Sequence, residues 1–208
     1  MDKYAAKNIL SLYQRHADAF ARQRSRTLVE KSWLDKFITA IGGEGHILDI
    51  GCGNGQPIAG YFIQLGFQLT GIDGATAMLD RARARFPAQR WLALDMRKLA
   101  LDMRKLALGE TFAGLIAWDS FFHLTQRDQQ KMFPIFARHS HPGSALMFTS
   151  GPGKGIAMGQ FEGEPLFHAS LAPEEYRALL DAHGFDVIDM VPEDPHCSGH
   201  TVWLAAKR

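Results

Sequence analysis

Short apolar segments bounded by turn-forming residues recur along the chain, and this pattern predicts β-strands. Seven such segments occur, at residues 47–50, 67–72, 90–94, 112–118, 144–149, 185–191 and 200–205. The segment 112–118 is strongly apolar, which is typical of a central strand that is covered on both faces. The sequence therefore predicts a sheet of seven strands.

Apolar residues at helical spacing fill most of the intervals between these strands. Pro87 ends one helix, and another is opened by Pro173 and closed by Gly184. Two helical patterns precede the first strand and end at a pair of glycines, residues 42–43. The later helices are predicted at residues 56–65, 75–86, 126–140 and 173–183. The glycine-rich segment 151–170 is predicted to be irregular.

Strands that alternate with helices predict a doubly wound, mostly parallel α/β sheet. The last two strands are an exception, because only a short connection without a helical pattern joins them. Such a connection allows a hairpin, and with it one antiparallel strand near the C-terminus. The length of 208 residues fits a single domain.

The composition is that of an ordinary globular protein, with 46% apolar and 22% charged residues. The formal net charge of +1 gives no support for a nucleic-acid partner. Cys52 and Cys197 are too few for a disulfide scaffold, so a reducing, cytoplasmic location is expected. No segment fits a signal peptide or a membrane span. The histidines and cysteine at 196–200 lack a second pair of ligands at zinc spacing, so a surface loop without a metal is expected.

Three glycines, Gly51, Gly53 and Gly55, directly follow the first strand and precede a predicted helix. Glycine is needed at such a turn because the backbone bends tightly and a ligand must approach without meeting a Cβ atom. The helix directs its free N–H groups toward the same place. A strand, a glycine turn and a helix indicate a nucleotide-type cofactor site in a Rossmann-like sheet. The dinucleotide fingerprint is G-x-G-x-x-G, whereas the spacing here is G-x-G-x-G, with Asp49 two residues before it.

Residues 48–55 resemble the first motif of the class I S-adenosylmethionine-dependent methyltransferases, and residues 71–83 resemble the second. The resemblance implies S-adenosylmethionine as the cofactor, with Asp49 and the three glycines at its site. Asp73 ends the second strand, where an acid accepts hydrogen bonds from both ribose hydroxyls in nucleotide-binding folds. A role in capping the following helix is compatible with this. The family more often has serine where this chain has Ala75.

The third motif of similar proteins is an acid after the third strand, whose carboxylate meets the adenine amino group. Two pairs fit, Asp95-Met96 and Asp102-Met103, because residues 92–98 are repeated without change at 99–105. Two copies are too few for a solenoid, so the repeat is interpreted as an in-frame duplication. Asp95 and Met96 are assigned to the cofactor because Asp95 directly continues the strand.

The fourth strand leads into residues 118–124, at the edge where an open sheet forms its crevice. In related enzymes this segment flanks the methionine end of the cofactor, so Trp118 is assigned to the cofactor site. His123 is the candidate general base, because imidazole is close to half neutral near physiological pH. Two alternatives stay open: His123 holds the loop by bonding the backbone, or Asp119 is the base.

Two segments are expected to cover the site. Tyr13 resembles the aromatic residue of an N-terminal lid helix that closes over the cofactor in many such enzymes, although simple packing on an amphipathic helix explains it nearly as well. The expected division is a helical lid at 1–43 and an α/β core at 44–208. The segment 151–170 is expected to cover the substrate.

The resulting hypothesis is a methyltransferase that transfers a methyl group from S-adenosylmethionine to an oxygen, nitrogen or sulfur atom of a small molecule. The pattern determines neither the acceptor nor the oligomeric state. One alternative is a protein that binds S-adenosylmethionine without catalysis. Another is a nicotinamide-dependent oxidoreductase, against which the glycine spacing counts.

Overall fold

The computed structural model describes residues 2–24, 27–96 and 110–208. The helices are α1 (Asp2–Arg15), α2 (Ala17–Gln23), α3 (Lys31–Ala40), α4 (Ile58–Gln64), α5 (Thr76–Arg85), α6 (Gln126–Arg138) and α7 (Pro173–Ala182). The strands are β1 (His46–Ile50), β2 (Gln68–Asp73), β3 (Arg90–Ala93), β4 (Phe112–Ala117), β5 (Ser140–Ser150), β6 (Gly155–Phe161), β7 (Glu164–Ser170), β8 (Phe185–Asp194) and β9 (His200–Lys207). Short 3₁₀ turns occupy Phe121–His123 and Pro195–Cys197.

Seven of these strands form one sheet in the order β3-β2-β1-β4-β5-β9-β8. The pairs from β3 to β5 are all parallel, and β9 is antiparallel to both of its neighbours. This confirms the predicted seven-stranded, mostly parallel α/β sheet with one antiparallel strand near the C-terminus. The strand order reverses between β1 and β4, and in doubly wound sheets a ligand crevice opens at the carboxyl ends of the strands at such a point.

The sheet is covered on both faces, as its apolar central strands require. On one face, Phe148 of β5 and Trp203 of β9 pack in a cluster with Phe133 of α6 and Tyr176 of α7. The other face packs against α3 and α4. Gly114 in β4 allows the close approach of α3, since a Cβ atom there would lie 2.3 Å from the ring of Phe37.

The segment 151–170 is a β-hairpin, so the prediction of irregular structure for it was wrong. β6 and β7 pair with each other along their whole length in a separate two-stranded sheet. The turn between them places Glu162 at φ 51° and Gly163 at φ 80°, the left-handed pair that a two-residue hairpin turn requires. The sequence signal was weak because Gly155, Gly159 and Pro165 have low strand propensity.

The N-terminal helices differ in what they contact. α1 packs its small apolar face on Phe167 and Ala169 of β7, and Ala17 of α2 packs near Met78 of α5. α3, in contrast, buries Phe37 against the sheet. Among the described residues, no helix combines the length and the hydropathy that crossing a membrane requires.

Candidate active site

A cavity of about 390 Å³ lies between the carboxyl ends of β1, β2 and β4 and the helices α1 and α2. Its size is that of a small-molecule site. All ten residues that the sequence assigned to cofactor or catalysis line this cavity: Tyr13, Asp49, Gly51, Gly53, Gly55, Asp73, Asp95, Met96, Trp118 and His123. The competing pair, Asp102 and Met103, lies outside the described residues.

The glycine turn is locked to the end of β4. Gly51 has φ +78°, and a Cβ atom there would lie 2.3 Å from the Cβ atom of Ser120. The Ser120 hydroxyl in turn donates a 2.6 Å hydrogen bond to the carbonyl oxygen of Ile50. Two amides of the turn, those of Gly51 and Cys52, donate to the carbonyl oxygen of Ile72. The backbone conformation and the close contact both require glycine at position 51.

The Asp73 carboxylate connects the glycine turn to α5. One oxygen accepts a 2.9 Å hydrogen bond from the Gly53 amide, and the other accepts a 2.8 Å bond from the Ala75 amide. Burial raises the pKa of Asp73, and these amides partly offset the effect. The predicted contact with the helix start is therefore present. Each oxygen has a further lone pair and can accept a second hydrogen bond from a ligand.

Asp49 is a buried carboxyl group at the base of the cavity. Its pKa is raised to about 7, first by burial and then by the charge of Asp73, while Arg24 has a small opposing effect. Among the described residues no hydrogen bond contributes to this pKa. An ionised Asp49 is therefore poorly stabilised by the protein alone, and a cationic ligand would stabilise it.

Tyr13 and His123 form a hydrogen-bonded pair in the wall of the cavity. The His123 Nδ1 atom lies 2.8 Å from the carbonyl oxygen of Phe167, which can only accept, so Nδ1 carries the proton. Nε2 then accepts from the Tyr13 hydroxyl at 3.0 Å. Burial lowers the pKa of His123 to about 4, so the ring is neutral near pH 7. Nε2, the atom of His123 that could accept a proton, therefore already accepts a hydrogen bond from Tyr13.

Asp119 lies just after β4, between the side chains of Arg24 and His200. Its carboxylate is 3.1 Å from Arg24 Nη1 and 2.8 Å from His200 Nε2. Burial alone would raise the pKa of Asp119, but His200 and Arg24 outweigh burial and lower it. The bond to Asp119 raises the pKa of His200. Asp119 is therefore an ionised, paired carboxylate, which makes it a weak proton acceptor.

The N-terminal helices and the hairpin meet above the cavity. The Phe161 ring lies 5.9 Å from the Tyr13 ring and 6.5 Å from the Phe20 ring, measured between centroids. The Glu164 carboxylate binds His16 at 2.7 Å and also pairs with Arg15. The N-terminal helix that carries Tyr13 and the segment 151–170 thus both lie beside the cavity, as predicted. Their function as lids remains a prediction.

A comparison with known families agrees with this geometry. Residues 47–143 match the family model of a methyltransferase domain, and this region includes the glycine turn, Asp73 and His123. The match covers 97 of the 208 residues, so the chain is similar to a methyltransferase domain over just under half of its length. No curated protein matches its sequence significantly.

Solved structures of other proteins show the same fold as this chain at low sequence identity. An amino pentose methyltransferase of calicheamicin biosynthesis from Micromonospora echinaspora, with bound S-adenosylmethionine, is 20% identical with a TM-score of 0.70. That alignment covers 93% of this chain and 96% of the other. Magnesium protoporphyrin IX methyltransferase from Synechocystis, also with bound S-adenosylmethionine, is 13% identical with a TM-score of 0.70, covering 98% and 97%. A sugar N-methyltransferase from Streptoalloteichus is 16% identical with a TM-score of 0.70, covering 92% of each chain.

The structure adds residues to the cavity that the sequence interpretation did not assign. Phe20 and Arg24 line the cavity and follow Tyr13 at helical spacing, so the same amphipathic pattern could have indicated them. His200 also lines the cavity and Cys197 beside it is buried, although His196, Ser198 and Gly199 of the same predicted surface loop are exposed. Because β9 is antiparallel, its first residue, His200, lies at the edge where the parallel strands end. His168 of β7 completes the wall.

Proposed function

We propose that this protein is a class I S-adenosylmethionine-dependent methyltransferase, which binds S-adenosylmethionine in the 390 Å³ cavity and transfers its methyl group to an oxygen, nitrogen or sulfur atom of a small molecule. The main observation in support of this proposal is the acidic lining of the cavity. Four aspartates, Asp49, Asp73, Asp95 and Asp119, line it, and of the described residues Arg24 is the arginine that faces them. A cavity rich in carboxylates favours a cationic sulfonium over a dinucleotide, which carries two anionic phosphates.

The residues fit the parts of the cofactor in the expected order. Asp73 accepts from the ribose hydroxyls, and Asp95 with Met96 holds the adenine. Asp49 lies beneath the glycine turn and offsets the positive charge of the methionine end. Arg24 reaches the same end of the cavity and offers guanidinium donors to the carboxylate. Gly53 leaves open backbone at the turn, since a Cβ atom there would meet no atom closer than 3.6 Å.

When bound, S-adenosylmethionine would supply a methyl group on a positively charged sulfur. The lone pair of the acceptor would bond the methyl carbon while the bond between that carbon and the sulfur breaks. The chain mainly orients the reactants and excludes water, and such positioning can contribute ~7–11 kcal/mol to lowering the barrier. Phe122, Trp118 and Leu124 form apolar walls for this purpose.

We assign His123 to the positioning of Tyr13. Its Nδ1–H bond to the Phe167 carbonyl sets the ring so that Nε2 accepts from the Tyr13 hydroxyl. An acceptor that loses a proton passes it to the Tyr13 oxygen, while the Tyr13 proton moves to His123. The role of His123 as the general base is therefore indirect in this proposal.

Calorimetry with S-adenosylhomocysteine and NAD tests the cofactor assignment. We expect that S-adenosylhomocysteine binds and NAD does not. In Asp73→Asn the affinity for S-adenosylhomocysteine should fall about tenfold or more, because the ribose loses a charged hydrogen-bond partner. The matched control is Asp80→Asn, since Asp80 is an exposed acid on α5. Equal affinity in Asp73→Asn and wild type, or tighter binding of NAD, would contradict the proposal. Formation of S-adenosylhomocysteine from S-adenosylmethionine in the presence of small acceptors then separates catalysis from binding alone.

A further inference from the structure

His200, the first residue of β9, is hydrogen-bonded through both nitrogens of its ring. Nδ1 lies 2.7 Å from the carbonyl oxygen of Cys197, and Nε2 lies 2.8 Å from Oδ1 of Asp119. A carbonyl oxygen and an ionised carboxylate can only accept hydrogen bonds, so both nitrogens carry a proton. A neutral imidazole has one N–H group and could donate to only one of these acceptors. The geometry therefore makes His200 a cation, and the raised pKa of its ring agrees with this.

Asp119 is fixed between this cation and Arg24. Its backbone has the left-handed conformation, with φ 49°, and its amide donates a 3.0 Å hydrogen bond to Oγ1 of Thr149. Oδ1 of Asp119 accepts from His200, while Oδ2 accepts a 3.1 Å hydrogen bond from Nη1 of Arg24. A change of charge on His200 is therefore passed to Arg24 through a carboxylate whose backbone is held in place.

Two acids compete for the charge of Arg24. Nη1 bonds Asp119, and Nη2 lies 3.3 Å from Oε1 of Glu30, which is 2% exposed. Asp194 of β8 pairs with His200 in the register of the sheet, but its carboxylate accepts an indole N–H from α3 instead. If His200 were neutral, Asp119 and Glu30 together would outweigh the charge of Arg24. As a cation, His200 balances Asp119, so Arg24 can attract a further carboxylate.

We propose that His200 is a positioning residue, which shares the charge of Asp119 so that Arg24 stays available for the carboxylate of the cofactor. This role rests on the proposed function, in which Arg24 binds the carboxylate at the methionine end. A guanidinium has five N–H donors in one plane, so Arg24 can bond Asp119, Glu30 and a ligand at the same time. Arg24, Asp119 and His200 all line the cavity, which places this network beside the bound ligand.

Two ligands that differ only in the carboxylate test this role: S-adenosylhomocysteine and its decarboxylated form, S-adenosyl-3-thiopropylamine. The variant His200→Gln keeps an N–H donor for Asp119 and removes the charge. Calorimetry at pH 7 should show about tenfold weaker binding of S-adenosylhomocysteine and an unchanged affinity for the decarboxylated form. His196→Gln is the matched control, since His196 is an exposed histidine close to His200, and it should change neither affinity. An equal loss for both ligands, which a merely structural role would cause, or no loss for either, would overturn the inference.

The pH dependence gives a second test, which decides if His200→Gln fails to fold. When the pH rises through the raised pKa of His200, the ring loses its second proton. The affinity for S-adenosylhomocysteine should then fall relative to that for the decarboxylated form. Because the pKa of Asp49 is about 7, the profile is recorded in Asp49→Asn, and the Cys197 thiol keeps its proton because burial raises its pKa to about 12. A constant ratio of the two affinities from pH 6 to pH 8.5 would overturn the inference.

A double variant tests whether His200 acts through Asp119. In Asp119→Asn the charge that His200 balances is absent, so His200→Gln should reduce the affinity for S-adenosylhomocysteine less than it does in wild type. The same tenfold loss in both backgrounds would overturn the positioning role, because His200 would then act on the ligand directly. If the wild-type protein does not bind S-adenosylhomocysteine at all, the proposed function itself is refuted.

Discussion

Replacing Asp49 by asparagine should stabilise the ligand-free protein and weaken cofactor binding at the same time. Asp49 is 4% exposed, and its pKa is raised to about 7 by burial and by Asp73. Its ionised form is therefore unfavourable in the folded chain and favourable in the unfolded one. Asparagine keeps the shape of the side chain and removes the charge.

The size of the effect follows from the pKa difference. The pKa of Asp49 rises from its ordinary value of 3.8 to about 7, and each pKa unit corresponds to 1.36 kcal/mol. Because the pKa of Asp49 is raised in the folded state, ionisation of Asp49 destabilises the folded protein. This destabilisation is absent below the pKa of the unfolded state and grows as the pH rises toward 7. At pH 8 the variant should gain up to about 4 kcal/mol in free energy of unfolding, and at pH 5 about 2 kcal/mol or less.

Urea unfolding of the ligand-free protein at pH 5 and pH 8 measures the stability, and calorimetry with S-adenosylmethionine measures the affinity. Asp80→Asn is the matched control, because Asp80 is exposed and should show no pH-dependent gain. In the wild type, the affinity for S-adenosylmethionine should fall as the pH drops below 7, since Asp49 then takes up a proton. Equal stability of variant and wild type at pH 8, or unchanged affinity in Asp49→Asn, would refute the reasoning.

The other predictions concern the turn and the two polar pairs. Gly51→Ala should lower the free energy of unfolding by more than the ~1–2 kcal/mol of a left-handed alanine, because its Cβ atom also meets Ser120, and denaturant titration measures this. Tyr13→Phe should lower kcat at least several-fold with little change in the affinity for S-adenosylhomocysteine, because the proton of the acceptor then has no hydroxyl through which to reach His123. Asp119→Asn should lower the pKa of His200 toward its ordinary value, which an NMR titration of the ring detects, because the bond to the carboxylate is what raises that pKa.

Each of these predictions has an outcome that would contradict it. Gly66 has φ +89° with no atom within 4 Å of a built Cβ, so Gly66→Ala isolates the backbone cost, and an equal loss in Gly51→Ala would exclude the clash. An unchanged kcat in Tyr13→Phe would show that the Tyr13 hydroxyl takes no part in the proposed proton transfer. An unchanged pKa of His200 in Asp119→Asn would mean that another group holds the charge.

Local pattern was sufficient to predict much of this protein. The seven strands of the main sheet were predicted because apolar runs and turn residues are local signals, and a strand followed by glycines needs the same backbone wherever it occurs. The ten assigned residues surround one cavity because parallel strands in an open sheet end at the same edge. The antiparallel β9 followed from the short connection before it.

Other features depended on residues that are far apart in the chain. The hairpin β6–β7 forms despite its glycines because the two strands pair with each other and α1 packs on β7. The proton on His123 is placed by Phe167, 44 residues away, and by Tyr13, 110 residues away. The raised pKa of Asp49 arises from burial and from a carboxylate on the next strand. Motif and spacing were enough to predict which residues line the cavity, because they are local properties of the chain. The distances between side chains, which only packing sets, decided the charge and protonation of those residues.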